Sequence, residues 1–136
     1  LPETVGEARG KLHIISRYYN STVGVPCYNG WVDDDSFELG GLYIQDNYNV
    51  ASSDEKFLDI TDAFSVAAEE SHDLVINFAS CYFSSGFPPI YAGLPAHDIN
   101  HRLSESLPTS SSPIGVLLCD FITSELSDLI IRRNFQ

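Results

Sequence analysis

The sequence predicts an α/β fold of about four parallel strands with flanking helices. Three observations carry that expectation. Short apolar segments of strand length recur at residues 11–16, 42–45, 74–79 and 114–119, two of them nearly continuous, as in strands buried on both faces. Amphipathic segments with helical spacing lie between or after them. A polar residue closes most of the strands at once: Arg17, Asp46, Ser80 and Asp120.

Each helix has its own signal. Ser52 with Glu55 three residues on forms a capping box, and Phe57, Ile60, Phe64 and Ala67/Ala68 then recur on one face. A second helix runs from about Pro95, a first-turn residue, through Ile99 and Leu103. Thr123 or Ser124 caps the last helix, which buries Leu126, Leu129 and Ile130 and carries Arg132 and Arg133 at its negative pole. The stretches 18–41 and 82–94 are aromatic and rich in turn formers, and read as long loops; 107–113 reads as a connector. Strand–helix alternation implies right-handed crossovers. Four strands are too few to close an eight-stranded barrel, so an open sheet and half a barrel fit the pattern equally.

At 136 residues the chain fits one domain, 1–136, with a real core. Leu1 in place of Met, and the absence of any methionine, suggest a processed product or a fragment. A net charge of −12 repels phosphate backbones, which argues against nucleic acid and against strong docking on anionic membranes. No run reaches membrane-span length. Cys27 and Cys81 sit in loop-like segments where a disulfide is possible, whereas Cys119 reads as core. The Asn20-Ser21-Thr22 sequon is either used or a chance triplet; with the cysteines it tilts the location towards secreted and extracellular.

The motif search leaves few candidates. His97 and His101 are four apart, as helical metal ligands would be, but read better as surface histidines. Asp33-Asp34-Asp35 reads as an acidic surface turn rather than a cation site. No cofactor or metal is expected. The strand ends are more informative, because parallel α/β folds gather their chemistry there. Arg17 can grip a diol or an anion with two parallel hydrogen bonds. Asp46 can accept from adjacent hydroxyls, and Tyr48 offers a ring for stacking. Asp120 can orient an imidazole. The bland reading fits the spacing equally: Arg17 and Asp46 form a structural ion pair and Asp120 is a helix N-cap.

Several stretches, in order, carry a resemblance: Gly6-Glu7-Ala8-Arg9-Gly10-Lys11 through Ile14, Ile15, Arg17 and Tyr18; Ile44-Gln45-Asp46-Asn47-Tyr48; Ser53-Asp54-Glu55-Lys56; Val75-Ile76-Asn77-Phe78-Ala79-Ser80; and Gly115 through Ile122. Together they resemble the C-terminal half of the phosphatidylinositol-specific phospholipase C family, chiefly its small bacterial-type members. The resemblance weakens around 82–100. It implies half of an irregular TIM-like (β/α) barrel, acting on phosphatidylinositol through two histidines and a phosphate-binding Arg that the family carries in its other half. It further implies that Arg17 and Asp46 bind inositol hydroxyls, that Tyr48 stacks on the ring, and that Asp120 orients the general-base histidine. Phe83 and Phe87 would form an apolar rim meeting a membrane transiently. A second polypeptide, or a second copy of this chain, would complete the barrel. The alternative is a non-catalytic inositol-, polyol- or glycan-binding protein on the same scaffold.

Overall fold

The computed structural model describes residues 5–19, 22–69, 71–83, 93–107 and 112–133. In chain order it contains α1 (Val5–Ala8), β1 (Ile15–Ser16), β2 (Val25–Pro26), β3 (Ser36–Leu39), β4 (Leu42–Gln45), β5 (Asn49–Val50), α2 (Ser53–Ala68), β6 (Leu74–Phe78), β7 (Tyr82–Phe83), α3 (Gly93–Ser106), β8 (Val116–Leu118) and α4 (Ser124–Arg132).

Gly40 and Gly41 decide the sheet. Both have positive φ, 58° and 85°, which glycine adopts without strain. Their two-residue turn folds β3 back antiparallel onto β4, with Leu39 opposite Leu42. β4 pairs in parallel with β6, and β6 in parallel with β8. The result is a mixed four-stranded sheet in the order β3-β4-β6-β8.

This corrects the expectation of about four parallel strands. The first expected strand, 11–16, does not enter the main sheet. Only Ile15–Ser16 pairs, in parallel with β2, in a separate two-stranded ribbon, and Leu12 is 92% exposed. The place beside β4 is taken by β3, whose tight hairpin closes a far shorter loop than a pairing with residues 11–16 would. The other three expected strands stand, with β8 shortened to Val116–Leu118.

The sheet separates two apolar layers. Residues alternate sides along β6: Val75 packs with Ala63 and Ala67 of α2, while Ile76 lies on the opposite side with Cys27, Leu42 and Ile44. On the helix side Ile60, Ile99, Leu103, Leu107, Ile114 and Leu126 form the main core, with Leu129's neighbour Ile130 packed at its border. Gly115 lets β8 approach β6, because its φ is 69° and a Cβ there would stand 2.5 Å from the Val75 carbonyl oxygen. Among the described residues β8 has no strand on its far side, and Val116 and Leu118 are exposed beside that open edge.

The expected caps form, with the return bond of the Ser52–Glu55 pair reaching one residue further back than a capping box requires. Ser52 accepts from the Glu55 N–H at 3.2 Å, and the Glu55 carboxylate reaches back to the Ala51 N–H at 2.7 Å. Thr123 caps α4 by accepting from the Leu126 N–H at 3.2 Å, which takes the N-cap role away from Asp120. Cys27, Cys81 and Cys119 are free thiols, so the Cys27–Cys81 bridge does not form. Cys27 is sealed in the apolar layer beneath β1 and β2. Asn20 and Phe87 lie outside the described residues. No described helix is long and apolar enough to cross a membrane.

Candidate functional site

Asp46 is the hinge of the site. It follows the last residue of β4 at the carboxyl end of the strand and is 7% exposed. Its Oδ2 accepts from the Trp31 indole N–H at 2.7 Å and lies 3.7 Å from Arg17 Nη1. The Arg17 guanidinium rests over the Trp31 ring, 4.8 Å from its centroid, and also bonds the Asp33 carboxylate. Trp31 is itself fixed edge-on by Phe37 and Phe78, at 5.7 and 6.3 Å. Arg17, Trp31 and Asp46 therefore form one unit: a guanidinium stacked on an indole that holds a carboxylate.

Tyr48 follows two residues later. It stays 37% exposed and lies 5.6 Å from the Tyr82 ring at a 37° tilt. The pairing of β5 with β7 brings the two rings together, along with a 2.7 Å bond from the Tyr82 N–H to the Tyr48 carbonyl. The nearby Asp34 carboxylate, and then partial burial, push the Tyr48 hydroxyl above its ordinary pKa.

The acidic triplet does more than solvate a turn. Asp33 holds Arg17. Asp34, in the left-handed region at φ 57°, accepts from the Tyr48 and Asn49 N–H groups at 3.3 and 2.9 Å. The Asp35 carbonyl accepts from the Asp46 N–H at 3.0 Å. Asp34 and Asp35 thus pin the arm that carries Asp46 and Tyr48, while Asp33 holds the Arg17 that faces it.

Beneath the arm lies a buried polar network. Lys56, on the first turns of α2, is 0% exposed. Its ammonium donates to Gln45 Oε1 at 2.8 Å and to the Asn47 carbonyl. Gln45 Oε1 also accepts from the Asn47 N–H at 2.9 Å, and Gln45 Nε2 donates to Asn77 Oδ1 and to the Phe78 carbonyl, both at 2.8 Å. Asn77 donates in turn to the Ile60 carbonyl at 3.0 Å, and the Asn47 amide to Asp59 at 2.8 Å. Burial lowers the Lys56 pKa to about 8.

Asp120 stands apart. It follows β8, with β6 between its strand and β4. Asn100 of α3 holds its carbonyl and that of Phe121, at 2.9 and 3.2 Å. Its carboxylate is close enough to add to burial in pushing Cys119 up to about 11, and it acts in the same sense on Cys81. A thiol so raised stays protonated and is a poor nucleophile. Beside Asp120, a cavity of about 370 Å³ opens among His97, Asn100, His101, Ser104, Phe121 and Thr123. None of Arg17, Asp46, Tyr48 or Asp120 lines it.

Arg17 and Asp46, paired in the sequence reading, do meet, and Tyr48 adjoins them. The ion pair forms, and Arg17 is still half exposed. The histidines lie elsewhere: His72 pairs with Glu38 at 3.3 Å, His101 with Glu105 at 3.5 Å, and His13 is exposed. Sequence reasoning misses Trp31 and Lys56, and reads Asp33 only as part of an acidic surface turn. A lone tryptophan in an aromatic loop gives no partner by spacing, whereas a lysine on the apolar face of an amphipathic helix was a readable signal.

This arrangement sits on a partial phospholipase C-like α/β fold. The enzyme "phosphatidylinositol-specific phospholipase C from Listeria monocytogenes" matches with a TM-score of 0.63 and 22% identity, over 72% of this chain and 36% of that one. A double mutant of the Staphylococcus aureus phosphatidylinositol-specific phospholipase C matches with a TM-score of 0.60 and 22% identity, over 74% and 38% of the two chains. A third structure, of the S. aureus enzyme studied for membrane binding, gives a TM-score of 0.57 and 23% identity. The matched region is thus little more than a third of those enzymes' length. No protein-family model matches the sequence, and no curated protein matches it.

Proposed function

We propose that this chain is the inositol-binding part of a phosphatidylinositol-specific phospholipase C-like phosphodiesterase. The observation that carries the reading is the Arg17–Trp31–Asp46 unit with Tyr48 beside it, at the carboxyl end of β4. A guanidinium and a carboxylate 3.7 Å apart present donors and acceptors to neighbouring hydroxyls. The half-exposed Tyr48 ring supplies the flat face on which a cyclic polyol packs. Asp120 would orient a general-base histidine brought by another segment.

In this reading the chain is a half barrel, 1–136, completed by a second polypeptide or by a second copy. The open edge of β8, with Val116 and Leu118 exposed beside it, supports a missing neighbour. The setting is extracellular, as the Asn20 sequon suggests, and the substrate is an inositol phospholipid headgroup at a membrane surface. Of the expected rim residues, Phe83 lies partly buried in β7; Phe121, 73% exposed and next to Asp120, is a further apolar side chain that supports transient contact with lipid.

One observation favours a second reading, a non-catalytic polyol- or glycan-binding protein: none of the four histidines touches Arg17, Asp46 or Tyr48 among the described contacts. Intact-mass analysis of the purified protein separates the two. An unlike second polypeptide with phosphatidylinositol cleavage supports the enzyme; this chain alone, binding myo-inositol without turnover, supports the binding protein. In both, Arg17→Ala should weaken myo-inositol binding, and unchanged affinity removes Arg17 from the site. With the partner half present, Asp120→Asn should lower turnover far more than affinity; equal losses would count against an orienting role.

A further inference from the structure

Lys56 is an anomaly. It is the largest fully buried side chain among the described residues, its cation is wholly out of water, and no carboxylate among them forms a salt bridge with it. Taking an ammonium out of water is costly, and an apolar residue of similar volume commonly serves a core as well or better. Filling space therefore does not account for a lysine here. What the ammonium does is specific. It bonds the Gln45 side chain and the Asn47 carbonyl, the residues on either side of Asp46. Gln45 Oε1 in turn accepts from the Asn47 N–H, so the backbone on both sides of Asp46 is tied to a single cationic centre.

Asp46 and Tyr48 lie on this tied segment. From below, Lys56 fixes the arm; from outside, the Asp34 carboxylate and Asp35 carbonyl fix it. The side chains facing the ammonium are Gln45 on β4 and the more distant carboxylates of Asp59, Asp46 and Asp34, with the Cys81 thiol just before β7. We propose that Lys56 is the positioning residue of the site: it touches no ligand itself, but presets Asp46 and Tyr48 in the geometry that receives a polyol. This rests on the polyol-binding reading of those two residues.

The single tryptophan offers a ligand-free reporter, since the Trp31 indole N–H bonds Asp46 Oδ2 directly at 2.7 Å. In the 136-residue chain, Lys56→Met should keep the far-UV circular dichroism of the wild type. It should nevertheless move the one indole ¹H–¹⁵N resonance and speed its exchange with water. Affinity for myo-inositol, titrated at pH 7, should fall roughly tenfold to a hundredfold, the scale of lost hydrogen bonds to a charged group. An indole signal and affinity both unchanged in the folded variant would overturn the proposal, because a space-filling residue leaves both in place. Should Lys56→Met not fold, Lys56→Gln, which keeps an N–H donor without the charge, is read by the same two signals. A wild type that binds no myo-inositol refutes the polyol reading instead, and the indole resonance still decides whether Lys56 holds Asp46.

Discussion

Burying Lys56 has a thermodynamic signature that can be worked out before any ligand is added. In the folded chain burial holds its pKa at about 8, against 10.5 for the free side chain, with Cys81, Asp59, Asp46 and Asp34 only partly offsetting the desolvation. Below pH 8 the folded chain carries the whole cost of a buried cation. Between about 8 and 10.5 the folded amine is already neutral while the unfolded one is still protonated. The unfolded state then binds more protons, so this group makes stability rise with pH across that window. At about 1.4 kcal/mol per pH unit, the gap is worth about 3 kcal/mol, most of it gained by pH 10. Lys56→Met removes the effect. At pH 7 the variant is expected within about 2 kcal/mol of wild type, since relief of desolvation offsets the acceptors left bare on Gln45 and Asn47. Urea unfolding followed by Trp31 fluorescence at pH 7, 8, 9 and 10 measures both proteins, and their difference cancels the thiols and tyrosines they share. Wild type should gain about 2–3 kcal/mol on the variant from pH 7 to pH 10. A difference that stays flat with pH would refute the argument, because it would mean that Lys56 ionises alike in both states.

Two further expectations concern the scaffold. Gly115→Ala should cost about 3 kcal/mol or more in denaturant unfolding, because the added Cβ meets the Val75 carbonyl at a φ of 69°; a cost under about 1 kcal/mol would show that β8 can shift away from β6. Ser52→Ala should cost about 1 kcal/mol by removing the cap on the Glu55 N–H, and unaltered thermal unfolding would mean that the helix start is held by Glu55 alone.

Much of the helical half of the fold was legible because its signals are local. The Ser52–Glu55 box, the Thr123 cap and the periodicity of Ile60, Ile99 and Leu103 each depend on residues within two turns of one another. β4 and β6 were legible as apolar runs because both faces are covered. The hairpin was missed although its signal was present: Gly40-Gly41 between Ser36–Leu39 and Leu42–Gln45 is a two-residue turn sequence, hidden within a stretch read as loop. The segment 11–16 misled for the opposite reason, since its apolar residues look like a buried strand but Leu12 and Ile14 are exposed.

By itself the sequence determined the α/β class, the capped starts of α2 and α4 and the identity of Arg17, Asp46, Tyr48 and Asp120 as polar residues at strand ends, because capping, periodicity and strand length are properties of neighbours in the chain. Only the tertiary structure decided that β3 rather than 11–16 flanks β4, that Trp31 joins Arg17 and Asp46 by contacting both, and that Lys56 lies buried beneath the arm. Those outcomes depend on contacts between residues far apart in sequence. Which residue fills a place in a sheet, or sits under a loop, is settled by competition among distant pairings, and no local pattern records who wins.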